Sequence, residues 1–378
     1  MAAPTAAANT TTTIQLASPD GPVTRTVLQT PLRDALSSEV PLIDVTDLVN
    51  ASTSTLDARK TVAARIRDAA TKTGFFYIVN HGVPLDVTDA SCAASLDFFR
   101  QDVPVKSLAT PAPAKGFSNN GYRPPSSLSI NATEGVDTKE TFTLRYDPRW
   151  DPEISDQDAI PEGIHLGFGH EEDAFTGTTN KPAFGPAIKA HFQACLHLAR
   201  TLMRAFALSL DLPENAWDVK AQYPGCAMGV NYYPPLQPTD QGGSPTAVSI
   251  GAHTDFQLFT ILWQDDAGGL QLLNRDGQWI RAAPIRGTLV VNIGDFMQRI
   301  TNDRYVSTVH RAQNWSGRER VSIAFFWGFS FHESCGVLET CLAEGEKPKY
   351  EEINCRDWVR KRLGAMQTLN KQREVANQ

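Results

Sequence analysis

Short apolar segments separated by turn residues follow one another through the second half of the chain. Their β-branched and aromatic residues predict strands at 247–255, 258–264, 268–273, 278–283, 288–293, 306–314 and 320–328. Glycine-containing turn signals lie between several of them, for example at 266–269 and 274–277. Many short strands at this spacing are typical of a sandwich or a barrel, and a jelly roll is the version that has a pocket between its sheets.

Helical periodicity is strongest in two earlier segments. Thr55 is a suitable N-cap for a helix whose apolar positions recur at helical spacing until Gly74, and a strand follows at 75–79. A longer amphipathic pattern begins at Pro186 and ends before Pro213. Residues 107–185, rich in Pro, Gly, Ser and Asp, predict long loops of the kind that often line pockets.

These patterns predict a mainly β protein with flanking helices. At 378 residues the chain is long enough for one large domain or two modest ones. We expect a mobile or loosely draped arm at 1–36 and a helical and loop region at 37–224 that packs on the core. The β core is expected at 225–345 and a C-terminal helical segment at 346–378.

Composition and charge narrow the classes of partner. The formal net charge is −7, and no cluster of Lys or Arg is present to neutralise phosphates, so we expect a small-molecule partner and no nucleic acid. No stretch approaches the roughly 20 apolar residues that a membrane span needs. Six scattered cysteines without a C-x-x-C pair predict reduced thiols and a cytoplasmic protein. The sequence indicates no oligomeric state.

His253, Asp255 and His310 are the candidate metal ligands. His253 and Asp255 are two apart in an extended segment, so they point to the same side of a sheet and can reach one ion. Two imidazoles and a carboxylate on one face of iron leave the opposite face open for a cosubstrate and O2. A second His-x-Glu pair, His170 and Glu172, lies in a polar, glycine-punctuated loop that favours an ordinary solvated pair.

Arg320 and Ser322 are the candidate anion site. They are also two apart on a probable strand, so a guanidinium fork and a hydroxyl face the same way. This pair of groups suits a carboxylate. The sequence therefore predicts an anion site beside a metal site.

Eight short motifs together resemble one enzyme family. They are GFFY at 74–77, NHGV at 80–83, DTKE at 137–140, NYYPP at 231–235, HTD at 253–255, GGLQ at 268–271, NIGD at 292–295 and RVS at 320–322. In combination they resemble the isopenicillin N synthase-like branch of the Fe(II)/2-oxoglutarate oxygenases, over about residues 40–365.

The resemblance implies a distorted double-stranded β-helix, or jelly-roll, core that binds Fe(II) and 2-oxoglutarate. His253, Asp255 and His310 would be the iron ligands. Arg320 and Ser322 would bind the distal carboxylate of 2-oxoglutarate, and Asn231 with Tyr233 would complete that pocket. The implied enzyme is an Fe(II)/2-oxoglutarate-dependent dioxygenase that uses O2 for hydroxylation, desaturation or ring-forming oxidation of a small organic metabolite.

Two other functions stay open from the sequence. Some members of the family keep the triad and the Arg-x-Ser pair but oxidise the substrate with O2 and no 2-oxoglutarate; Asn231 and Tyr233 tilt the prediction toward the cosubstrate. A non-catalytic β-helix binding protein is disfavoured, because every ligand position is filled. Candidate substrate contacts are Phe326, Tyr122, Phe142 and Phe256, although each aromatic residue could equally be core packing.

Overall fold

The computed structural model describes residues 10–110, 120–127, 129–131, 133–156, 160–161, 164, 175–236 and 247–376. The second His-x-Glu pair, His170 and Glu172, lies outside the described residues, as does part of the 107–185 loop region. No helix among the described residues is both long enough and apolar enough to cross a membrane.

The strands fall into two groups along the chain. Those before the long central helix are β1 (Thr11–Leu16), β2 (Val23–Leu28), β3 (Arg33–Asp34), β4 (Leu42–Asp44), β5 (Phe75–Val79), β6 (Gly121–Arg123), β7 (Val136–Asp137) and β8 (Glu140–Arg145). Those after it are β9 (Ala227–Tyr233), β10 (Ala247–Val248), β11 (Ile250–His253), β12 (Phe259–Gln264), β13 (Leu270–Leu273), β14 (Trp279–Arg281), β15 (Leu289–Ile293), β16 (His310–Ala312), β17 (Arg320–Trp327), β18 (Ser334–Cys335) and β19 (Ile353–Asn354). Each of the seven segments predicted as strands contains at least one of them.

Seven α-helices lie among the described residues. They are α1 (Thr46–Val49), α2 (Leu56–Lys72), α3 (Leu85–Phe99), α4 (Val103–Lys106), α5 (Phe184–Ser209), α6 (Asp295–Ile300) and α7 (Cys355–Ala376). The predicted cap is confirmed, because the Thr55 side chain accepts a hydrogen bond from the backbone N–H of Ala58 at 3.2 Å. Gly74 follows α2 with φ +67°, and a Cβ there would lie 1.9 Å from the carbonyl oxygen of Val306, so glycine is required.

Two sheets make the core of the molecule. The larger has eight strands in the order β4-β5-β15-β12-β17-β9-β8-β6, and the smaller has five in the order β11-β16-β13-β14-β3. A cluster of buried residues joins them, including Phe75 and Val290 of the larger sheet with Leu270, Leu272 and Ile280 of the smaller. The facing sheets agree with the predicted mainly β, jelly-roll class.

The larger sheet packs its other face against α5. This helix is buried along most of its length, and Phe192 and Phe206 contact Phe325 and Phe259 of the sheet with ring centroids 5.2 and 5.0 Å apart. One face of the larger sheet is therefore buried against α5, and the opposite face can line a pocket between the two sheets.

The first part of the chain contributes more strands than the sequence predicts. Besides the predicted strand β5, the region at 37–224 contributes β4, β6 and β8 to the larger sheet. The segment expected to be a mobile arm contains an antiparallel hairpin of β1 and β2, with Ile14, Leu16 and Val27 buried in a cluster with residues of the smaller sheet. These apolar side chains gain by leaving water, which holds the hairpin on the core.

Candidate functional site

The three candidate metal ligands meet at the edge of the smaller sheet. β11 ends at His253 and β16 begins at His310, and the two residues are register partners with ring centroids 4.3 Å apart. The nearer oxygen of Asp255 lies 3.8 Å from the Nε2 atom of each histidine. The three donor atoms lie within 4.8 Å of one another, and among the described residues no other group of His, Cys, Asp and Glu is grouped in this way. This donor set suits an iron ion with an open face.

Hydrogen bonds orient each of these side chains. The Nδ1 atoms of His253 and His310 lie 2.8 and 3.1 Å from the carbonyl oxygens of Gly251 and Thr308. A carbonyl can only accept, so each Nδ1 carries the proton and each Nε2 keeps a lone pair for a metal. Burial lowers the pKa of His253, which favours the same neutral form.

Asp255 is held through its other oxygen. Its Oδ2 accepts hydrogen bonds from Thr260 Oγ1 at 2.5 Å and from Asn292 Nδ2 at 2.7 Å, which leaves Oδ1 toward the histidines. Burial alone would raise the pKa of Asp255, but the facing imidazoles and these two hydrogen bonds lower it below the usual value. The side chain is therefore an anionic candidate ligand of fixed orientation.

Arg320 and Ser322 lie on β17 and are both buried. The Arg320 guanidinium donates to Gln264 Oε1 at 3.2 Å and stacks over the ring of Tyr233 at 4.6 Å. Its Nε and Nη1 atoms have no hydrogen-bond partner within the described part of the chain. Ser322 Oγ lies 3.4 Å from the Tyr233 hydroxyl. Buried donors without a partner are costly, so this pocket suits an anion.

Asn231 sits beside this pocket on β9, where it is the register partner of Ser322. Its Oδ1 accepts hydrogen bonds from Thr141 at 3.0 Å and Lys139 at 3.3 Å, and its Nδ2 donates to the carbonyl of Gly229 at 3.1 Å. Asn231 is thus fixed by the sheet and by Lys139, next to Tyr233 and Ser322.

One cavity of about 490 Å³ contains the metal group and the anion group together. It is lined by His253, Asp255, His310, Asn231, Tyr233, Arg320 and Ser322, and by two of the predicted substrate contacts, Phe256 and Phe326. A cavity of this size between two sheets fits a small molecule beside a cosubstrate.

Comparisons with known proteins agree with this geometry. Residues 224–328 match the 2OG-Fe(II) oxygenase superfamily, and residues 40–162 match the family "non-haem dioxygenase in morphine synthesis N-terminal". The chain is 57% identical to the 2-oxoglutarate-Fe(II) type oxidoreductase ppzC of Metarhizium majus, over 94% of this chain and 95% of that protein. The chain belongs to the 2OG-Fe(II) oxygenase superfamily. The predicted resemblance is confirmed at this level.

Other relatives and solved structures extend the comparison. This oxygenase is 32% identical to the 2-oxoglutarate-Fe(II) type oxidoreductase hxnY of Emericella nidulans, over 80% of this chain and 84% of that protein. Its fold matches a full-length Neurospora crassa protein solved in complex with alpha-KG, with a TM-score of 0.70 and 25% identity, covering 86% and 96% of the two chains. The chain is accordingly an enzyme, a 2-oxoglutarate-dependent dioxygenase that uses Fe(II) and O2, and the predicted jelly-roll class is confirmed.

Two predicted substrate contacts of this oxygenase lie elsewhere. Tyr122 and Phe142 are fully buried in the core on the other face of the larger sheet, where Phe98 contacts both rings with centroids 6.0 and 5.5 Å away. Side chains alternate between the faces of a strand, so their neighbours Arg123 and Thr143 line the cavity instead. The expectation for Tyr122 and Phe142 is corrected by this alternation.

The C-terminal helix covers the cavity, which sequence reasoning missed. Val359, Leu363, Met366 and Gln367 of α7 line it. Their spacing of three or four residues indicates one face of a helix, but nothing in the sequence indicated what this face packs against.

Arg362 joins α7 to the segment that carries His253 and Asp255. Its guanidinium lies 2.7 Å from a carboxylate oxygen of Asp295, donates to Thr254 Oγ1 at 3.1 Å and stacks over the ring of Phe256 at 4.7 Å. Thr254 stands between His253 and Asp255 in the chain. The helix that covers the cavity is therefore tied to the segment that carries two of the candidate metal ligands.

Proposed function

We propose that His253, Asp255 and His310 hold the Fe(II) of this oxygenase. The observation that carries the proposal is the meeting of three oriented donor atoms, within 4.8 Å of one another, in the same cavity as the buried guanidinium of Arg320. The donor set also fits iron chemically, because two neutral imidazoles and one carboxylate, without sulfur, leave part of the coordination sphere open.

Arg320 and Ser322 bind the distal carboxylate of 2-oxoglutarate in this proposal, with Tyr233 beside them and Asn231 fixing the neighbouring strand. The two unpartnered guanidinium nitrogens of Arg320 supply the charged hydrogen bonds. The Tyr233 ring under the guanidinium fixes the plane of the fork. The 2-oxoglutarate-independent oxidase remains only an alternative from the sequence, and no contact in the described part of the cavity favours it.

Bound iron supplies the chemistry that couples O2 reduction to the oxidative decarboxylation of 2-oxoglutarate and to the oxidation of a C–H bond. For a hydroxylation, 2-oxoglutarate, O2 and R–H give succinate, CO2 and R–OH. The residues of this chain bind the carboxylate at Arg320, orient the ligands through Thr260 and Asn292, and exclude water beneath α7.

The substrate is proposed to be a small organic molecule. A cavity of about 490 Å³ is typical of a small-molecule site, and the net charge of −7 disfavours nucleic acid. Relatives agree in kind: another structure of the Neurospora crassa protein contains thymine, and an Ipomoea batatas relative is named an ortho-hydroxylase of coumaroyl CoA and feruloyl CoA. Whether the product is hydroxylated, desaturated or cyclised depends on which C–H bond lies nearest the iron.

The test of the ligand set is anaerobic spectroscopy. Fe(II) with 2-oxoglutarate should give a weak visible charge-transfer band in the wild-type protein, and His310→Ala should lose the band, the bound iron and succinate formation. His197→Ala, which removes an exposed histidine from α5, is the matched control and should keep all three. Full iron binding and turnover in His310→Ala would rule out the proposed triad.

A further inference from the structure

The cavity-facing side chains of the larger sheet lie in rows that run across its strands. The row that contains Ser322 and Asn231 belongs to the proposed 2-oxoglutarate pocket. The next row joins four register partners on β12, β17, β9 and β8 that all line the cavity, namely Leu262, Ala324, Gly229 and Thr143. Its two middle positions carry one methyl group and no side chain. The cavity wall therefore has a depression over Ala324 and Gly229, which is called the notch below.

The fold of the strand does not require glycine at position 229. The register of β9 with both neighbouring strands runs through Gly229 without a shift, so there is no bulge, and Gly229 is not among the glycines with positive φ. A Cβ there would have its nearest neighbours at 3.7 Å, in the side chains of Asn231 and Phe326, which is ordinary contact. A Cβ at Gly294, by contrast, would lie 2.3 Å from the carbonyl oxygen of Gln257. Alanine would fit at 229, and glycine there only increases the conformational entropy lost on folding.

A strand glycine without a bulge often marks a place where another backbone or a ligand approaches the sheet closely. No backbone atom is among the three nearest neighbours of a Cβ at Gly229, which leaves the ligand. The surroundings of the notch are largely apolar, with Leu262 in the same row and the Phe326 ring at 3.7 Å from the position of the missing Cβ. Because neighbouring strands lie about 4.8 Å apart, the notch is roughly 10 Å wide, which admits a ring.

The strand order separates Gly229 from the expected position of 2-oxoglutarate. Arg320 lies on β17, and the two side chains that donate to Asp255 lie on β12 and β15, at Thr260 and Asn292. β9 is on the opposite side of β17 from both of those strands. A cosubstrate that extends from Arg320 toward Asp255 therefore runs over β17 and β12, and the space over Gly229 is left for the primary substrate.

We propose that Gly229 determines substrate specificity, because the notch binds a bulky apolar group of the primary substrate, such as a ring. The removal of this group from water stabilises the bound substrate, and a side chain at position 229 would occupy the same space. The inference rests on the proposed function, because it takes Arg320 and Ser322 as the place of the 2-oxoglutarate carboxylate.

Indole, a flat and uncharged ring, tests this assignment without knowledge of the natural substrate. Protein loaded with Fe(II) and saturating 2-oxoglutarate, without O2, is titrated calorimetrically with indole. The wild-type protein should bind it with a dissociation constant below about 10 mM. Gly229→Ala should weaken this binding at least about 3-fold and Gly229→Val at least about 10-fold, because each added methyl group overfills the notch. No binding to the wild-type protein up to about 10 mM, or equal binding to all three proteins, would overturn the proposal.

The position of the ring is tested by crystallography. In wild-type crystals soaked with 5-bromoindole, the anomalous signal of bromine should locate the ring in van der Waals contact with the Gly229 Cα atom, at about 4 Å. The signal should be lost from this place in Gly229→Val. A ring that binds elsewhere in the cavity of the wild-type protein would assign the notch no role in binding.

Gly336 provides the matched control. It also lacks a positive φ, a Cβ there would have its nearest neighbour at 3.6 Å in Glu352, and it does not line the cavity. Gly336→Ala and Gly336→Val should bind indole within about 2-fold of the wild-type affinity. Gly229→Ala should also unfold at the same or a higher urea concentration than the wild-type protein, because alanine loses less conformational entropy in a strand. Weaker indole binding together with a lower unfolding midpoint would mean general damage and would overturn the proposal.

A 2-oxoglutarate titration separates failure of this inference from failure of the proposed function. The affinity for 2-oxoglutarate, followed by the visible band with Fe(II), should be unchanged in Gly229→Ala and Gly229→Val. A loss of this affinity in parallel with that for indole would assign the notch to the cosubstrate and overturn the inference, while the proposed function stands. If instead an Arg320 variant binds 2-oxoglutarate normally while indole binding still depends on position 229, the cosubstrate anchor is wrong and the notch stands.

Discussion

The part of the cavity that contains the candidate metal ligands, called the metal end below, differs from the other walls in how its side chains are held. At the metal end, His253, Asp255 and His310 each have a hydrogen bond that orients the donor atom. These bonds come from the backbone within two residues or from adjacent strands of the jelly roll. Other walls of the cavity come from β6, β8 and α7, which are remote from the triad in the chain.

This difference separates the residues that serve the reaction itself from the residues that select the substrate. The ligands of a reactive metal must keep their geometry within a fraction of an ångström, so their supports are short and local. A substrate pocket can be rebuilt from edge strands and a terminal helix without disturbing that geometry. Three substitutions, of Arg362, Arg320 and Thr260, test this contrast.

The largest effect on stability is expected at the ion pair between Arg362 of α7 and Asp295. Arg362→Met keeps an unbranched side chain over Phe256 but leaves the half-buried Asp295 carboxylate without its ion pair. Removing one partner of such a pair costs about 3 kcal/mol in the free energy of unfolding, measurable by urea denaturation. Arg360→Met, which removes an exposed charge on the same helix, should change it by less than about 0.5 kcal/mol. Equal losses in both variants would mean that Arg362 does not fasten α7.

The next effect is on the cosubstrate. Arg320→Lys should raise the dissociation constant of 2-oxoglutarate about 10- to 100-fold, because an ammonium cannot reproduce the paired hydrogen bonds of the guanidinium fork. The measurement is an anaerobic titration of the visible band, with the exposed Arg286→Lys as the control. An unchanged affinity would place the carboxylate anchor elsewhere in the cavity.

The smallest effect is expected at a support of a metal ligand. Thr260→Val preserves shape but removes the hydroxyl that donates to Asp255 Oδ2, while Asn292 still donates to the same oxygen. The affinity for Fe(II) should fall by about 10-fold, as measured in an anaerobic metal titration. The control is Thr201→Val on α5, whose hydroxyl donates to the helix backbone at the carbonyl of His197. If both variants bind iron equally well, the orientation of Asp255 does not depend on Thr260.

Much of the fold could be predicted because local patterns are strong in this chain. The seven predicted strand segments, the cap at Thr55 and the long helix α5 are confirmed. Arg320 and Ser322 lie on β17 as predicted, whereas Asp255 follows the end of β11 at His253; both pairs line the cavity. Their roles as ligands of iron and 2-oxoglutarate stay predictions.

The cavity walls formed by β6, β8 and α7 could not be predicted in the same way. In β6 and β8, a shift of one residue changes the face, so Tyr122 and Phe142 point into the core while their neighbours Arg123 and Thr143 line the cavity. The sequence also held no sign that residues 11–28 form a hairpin on the core or that α7 covers the site. Those contacts join segments that are far apart in the chain.

By itself, the sequence determined the period of each strand and helix, the family and the residue types that suit iron and a carboxylate. These follow from local chemistry, because alternation along a strand and capping of a helix involve residues a few positions apart. Only the tertiary structure decided that residues of β6, β8 and α7 line the same cavity as the triad and that Arg362 ties the last helix to Asp295. Strand order and helix docking depend on the burial of surfaces from distant parts of the chain, which no local pattern encodes.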